Sequence, residues 1–107
     1  MKNSRTLDSH TEIAKYLLEE VVKVSFAVYQ NVMTLDEANK RLHDKAENCV
    51  EKYGLQQSRK GLRTFHKGLL KSAPNGQLTF CNKDGHEILV PVLKEGIEDY
   101  FSDQVSK

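Results

Sequence analysis

At 107 residues the chain has room for one modest hydrophobic core and not for two, which bounds it to a single domain over residues 1–107. Its net charge of +1 hides a segregation: residues 1–51 carry seven bases and nine acids, residues 52–83 seven bases and no acid, and residues 84–107 two bases and six acids. No window approaches the ~18 apolar residues of a membrane span, no leader-like apolar run follows Met1–Arg5, and two cysteines are too few for a disulfide framework. A cytoplasmic α+β protein is therefore expected.

Residues 1–8 read as a mobile lead-in. Ser9 and Glu12 have capping-box spacing, which predicts a helix from Ser9 to about Met33. One apolar row there is Ile13, Leu17, Val21, Val24 and Val28; a second is Ala14, Leu18, Val22, Tyr29 and Val32. Together they cover roughly 200° of arc, twice the stripe of an ordinary surface helix. So broad a face needs cover on two sides. That predicts a homodimer, with Leu18, Val22, Phe26 and Tyr29 as the candidate interface.

Thr34 and Glu37 form a second capping box, with Asp36 and Glu37 favourable to the helix dipole. The helix they open has a single stripe of Leu35, Ala38, Leu42, Ala46, Cys49 and Tyr53, and Gly54 ends it. A short connection makes the first two helices a long N-terminal helical hairpin. A third, basic helix is predicted over Ser58–Ser72, with Leu62, Phe65 and Leu69 inward, and Ala73-Pro74-Asn75-Gly76 stops it. Gly61 and Gly68 each cost that helix about 0.5–1 kcal/mol relative to alanine.

Gln77–Asn82 and His86–Val92 then flank Lys83-Asp84-Gly85, the signature of one β-hairpin with a three-residue loop. That loop opposes Phe80 to Ile88 and Leu78 to Val90, whereas a two-residue turn shifts the register and breaks the match. Leu93, Ile97, Tyr100 and Phe101 predict a short acidic C-terminal helix, with residues 103–107 frayed.

The acid-free stretch is the candidate site. Arg59, Lys60, Arg63, Lys67 and Lys71 lie on the third helix and Lys83 at the hairpin tip, a set suited to phosphates and base edges of nucleic acid, duplex DNA above all. Over residues 34–92 the order of elements resembles that of a winged helix–turn–helix, in which the third helix reads the major groove and the hairpin tip meets the backbone. The fingerprint departs from that pattern: Val50 stands where a small residue is usual, and Lys60 and Arg63 where apolar residues are usual, so no family is assigned. The alternative reading is a protein-binding inhibitor, immunity or adaptor module that meets an acidic partner through helix one and the basic face.

Chemistry finds less footing. Cys49, His66, Cys81 and His86 can be written as a zinc set, but the close Cys-x₂₋₄-Cys pairs of such sites are absent. No Gly-rich phosphate loop, nucleophile elbow or paired-carboxylate signature occurs. The expectation is a non-catalytic protein with no cofactor and no metal.

Overall fold

The structure, a computed structural model, describes residues 9–105. Its first helix, α1 (Ser9–Tyr29), buries Ile13, Leu17, Val21 and Val24, the first of the two apolar rows. It stops four residues short of Met33. Asn31 adopts a left-handed φ of 62°, and its N–H turns to the Val28 carbonyl at 3.0 Å, which closes the helix early. Ser9, expected to cap α1, is already its first helical residue, and the lead-in over residues 1–8 lies outside the described residues. Glu12 accepts a hydrogen bond from the Tyr53 hydroxyl at 3.1 Å.

The second helix, α2 (Leu35–Tyr53), starts as its sequence dictates. Glu37 N–H donates to Thr34 Oγ1 at 3.1 Å, and Thr34 N–H donates back to Glu37 Oε1 at 3.0 Å. Those bonds hold the Glu37 carboxyl below its ordinary range. Ala38, Leu42, Ala46 and Cys49 are its buried face. Glu12–Tyr53 and Glu20–Arg41 run α1 and α2 antiparallel, as a helical hairpin requires.

The third helix, α3 (Leu55–Ser72), begins three residues before the expected Ser58. Gly54, at φ 88°, reverses the chain in one residue, and its carbonyl takes the Ser58 N–H at 3.1 Å, so residues 55–58 already form a helical turn. α2, α3 and the hairpin follow in the expected order, but a joint of one residue stands where a helix–turn–helix has a turn of three to four residues. α3 packs along α1, and Gly61 marks their closest approach: a Cβ there would overlap Ile13 Cγ2 and lie 2.6 Å from Ile13 Cβ.

Strands β1 (Gln77–Cys81) and β2 (Glu87–Pro91) form the antiparallel hairpin with Phe80 opposite Ile88 and Leu78 opposite Val90, the expected register. Asn82 N–H donates to the His86 carbonyl at 3.0 Å, and Gly85 takes φ 80° in the three-residue loop. Leu78 and Val90 point inward, and Phe80 meets Phe26 of α1 at a centroid distance of 4.8 Å. Leu93 N–H then donates to the buried Ser25 Oγ at 3.0 Å, pinning the exit of the hairpin to α1.

The fourth helix, α4 (Glu95–Val105), is helical through 103–105, which were expected to fray, while 106–107 lie outside the described residues. Its amphipathic face explains the extension: Ile97, Tyr100 and Phe101 are buried. Gly96 presses on the Asn39 main chain and Tyr100 stacks edge-on to His43 at 5.0 Å, so α4 runs parallel to α2. Buried residues from all four helices, Leu78 and the short segment after α3 make one continuous core. The result is an α+β fold of order α-α-α-β-β-α. Among the described residues no helix is long and apolar enough to cross a membrane.

Candidate nucleic-acid interface

Helical geometry sorts the bases of α3 into two groups. At 100° per residue, Lys60, Arg63, Lys67 and Lys71 fall within roughly 80° of arc and extend over roughly 16 Å of axis. All four are exposed, and among the described residues none makes an ion pair. Arg59 belongs elsewhere. It lies toward α4, is half-buried, and has an Nε shut off from solvent that finds no hydrogen-bond partner among the described residues.

The acids of α4 do not cover the exposed row. Glu98 Oε2 accepts from Lys94 Nζ at 2.7 Å and lies 3.2 Å from His66 Nε2. Glu98 is thereby occupied by the lysine just before its own helix and by a histidine on the α4 side of α3. Glu95 and Asp99 are exposed.

Lys83 stands apart. It is exposed in the hairpin loop, a strand's length (roughly 17 Å) from the end of the hairpin that joins the helices, and no contact links it to a base of α3. The structure therefore brings together Lys60, Arg63, Lys67 and Lys71, places Arg59 at their border, and leaves Lys83 separate.

Two hollows and a cleft border this surface. Leu55, Gln56, Arg59, Lys60 and Arg63 line one hollow of about 520 Å³. Arg59, Leu62, Arg63, His66, Glu98 and Phe101 line most of a second, of about 530 Å³, between α3 and α4. Across the His66–Glu98 contact, an apolar cleft of about 400 Å³ reaches Leu69, Leu70, Ala73 and Val92. Thus His66–Glu98 forms a septum in one trough along the α3–α4 seam. Sequence reasoning could find the Lys94–Glu98 pair from its i,i+4 spacing. It had no signal for His66–Glu98, whose partners are 32 residues apart.

The four side chains considered for a dimer have partners within the chain. Leu18 and Val22 are half-buried against the core, and Phe26 packs on Phe80 and lies 6.3 Å from Tyr29. Tyr29 alone keeps about half its surface, 49%. The hairpin covers α1 at Phe26, while Tyr29 and Val32 at the end of the second row stay exposed.

The thiols and histidines are dispersed. Cys49 is buried in the α2 face, and burial pushes its thiol up to about 11 against a smaller opposing effect of Lys52. Cys81 is exposed on β1 opposite Glu87. Among the described residues no three His, Cys, Asp or Glu side chains converge as a metal site. The chain matches no protein-family model, no curated protein and no solved structure.

Proposed function

We propose that this protein binds nucleic acid without catalysis, through phosphate contacts made by Lys60, Arg63, Lys67 and Lys71. One observation carries this reading: four exposed bases in one helical row, with no carboxylate of the described residues paired to them. Packed between α1 and α2 and joined to α2 by Gly54 alone, α3 offers its side to a backbone; its end is not free to enter a groove. The expected mode is therefore backbone contact with little reading of sequence.

Four phosphate contacts set a slope of log K against log salt of about −3.6 for a duplex and about −2.8 for a single strand. Affinity then falls about 50- to 150-fold between roughly 50 and 200 mM salt. Fluorescence anisotropy across that range checks the slope. Charge reversal at Lys60, Arg63 and Lys67 together abolishes binding on this reading. Absence of DNA and RNA binding at the lowest salt refutes it.

A second reading draws support from Leu70, which is 67% exposed beside the apolar cleft, at the edge of the basic row next to Lys67. An acidic protein segment with an aliphatic anchor fits that combination. Leu70→Ser separates the two readings: it leaves nucleic-acid affinity unchanged and removes a stoichiometric protein complex.

A further inference from the structure

We propose that the hollow between α3 and α4 takes one unpaired nucleotide, so that the protein prefers single-stranded nucleic acid to duplex. This rests on the reading of the basic row and names its substrate class. Arg63 is the link. It belongs to the exposed row and also lines the hollow, so a backbone laid along Lys67 and Lys60 passes the mouth of the hollow at Arg63.

The chemistry inside suits a nucleotide. Leu62 and Phe101 make an apolar floor, Arg59 and Arg63 a cationic wall and His66 with Glu98 one end, and the volume of about 530 Å³ falls within the ~300–1,000 Å³ of small-molecule sites. A base rests on the apolar floor and beside a guanidinium plane, the usual support for unstacked bases. Its phosphate lies against the two arginines.

Arg59 gives an independent pointer. Its Nε is shut away without an acceptor among the described residues, an arrangement that costs free energy. Swinging the guanidinium toward a phosphate gives Nε and an Nη a shared, two-pronged acceptor. The nearest acid does not compete: Glu98 Oε2 is taken by Lys94 at 2.7 Å and faces His66 at 3.2 Å. A paired base cannot enter, because it stays stacked within the helix unless unpairing is paid for.

Arg59→Lys tests this, because it keeps the charge and removes the fork. The probes are a labelled mixed-sequence single-stranded DNA, the RNA of the same sequence, and the DNA duplex, each titrated by anisotropy at low salt. The expected result is single-strand affinity about tenfold above duplex affinity, the scale of one stacked base, with Arg59→Lys lowering single-strand affinity far more than duplex affinity and so removing most of that preference. Circular dichroism melting of the variant confirms that it folds. Equal affinity for single strand and duplex, or a preference that survives Arg59→Lys, overturns the nucleotide site while the basic row stands. Failure of every probe to bind overturns the row and the site together.

Discussion

Gly61 and Gly68 occupy the same helix, yet alanine at the two positions is expected to act in opposite directions. Around Gly68 nothing approaches within 4 Å of a Cβ, so Gly68→Ala gains only the helix-propensity term, about 0.5–1 kcal/mol. Gly61 is buried where α1 and α3 touch. A Cβ there overlaps Ile13 Cγ2, lies 2.6 Å from Ile13 Cβ and sits 3.3 Å from the His10 carbonyl oxygen. Rotation of χ1 moves the Ile13 Cγ2 but leaves its Cβ in place, so relief needs the two helix backbones to part. Such overpacking costs about 1–3 kcal/mol, and the propensity gain returns part of it, leaving Gly61→Ala destabilised by roughly 0.5–2 kcal/mol. At about 4 °C per kcal/mol for a domain of this size, Tm falls by roughly 2–8 °C in Gly61→Ala and rises by roughly 2–4 °C in Gly68→Ala. Thermal melts followed by far-UV circular dichroism measure both. If both variants raise Tm, the close α1–α3 approach at Gly61 is wrong.

Two further predictions concern buried groups. Arg41 Nε donates to Glu20 Oε1 at 2.6 Å; the Glu20 side chain is 6% exposed and that of Arg41 47%. Because solvent reaches the arginine, Arg41→Met is expected to cost about 2 kcal/mol, below the ~3–5 kcal/mol of a fully buried pair, and Glu20→Leu in the same chain recovers most of it; urea unfolding reads both. Cys81 is expected to react promptly with a disulfide reagent, whereas Cys49 reacts only on unfolding. With its thiol raised to about 11 in the fold, Cys49 lends stability that is whole below its unfolded pKa of about 9 and fades between about 9 and 11, so a Cys49→Ala variant loses that part of the alkaline decline in Tm.

Much of the fold was legible because its signals act over a few residues. The Thr34–Glu37 box forms within one helical turn, and the hairpin register follows from matching Phe80 to Ile88 around a glycine loop. Where local signals compete, boundaries moved. Asn31 ended α1 early by taking the left-handed conformation that a non-glycine side chain adopts at some cost, and Gly54 let α3 begin at once. The candidate site was half legible. The charge of residues 52–83 is a matter of composition, and the 3.6-residue period alone groups Lys60, Arg63, Lys67 and Lys71.

What the tertiary structure alone decided is which of those residues remain available. Arg59 turns toward α4, Glu98 is taken by His66 and Lys94, and Glu20, which looks like any surface carboxylate of α1, is buried against Arg41. The same packing distinguishes Gly61 from Gly68 and spends Phe26 on Phe80. Lys94–Glu98 aside, each of these depends on partners from different elements, 21 residues apart for Glu20–Arg41 and 32 for His66–Glu98. Helical period and capping chemistry reach only one turn along the chain, so the sequence by itself determined the elements and the charge they carry. Their packing decided which charges meet solvent and which meet each other.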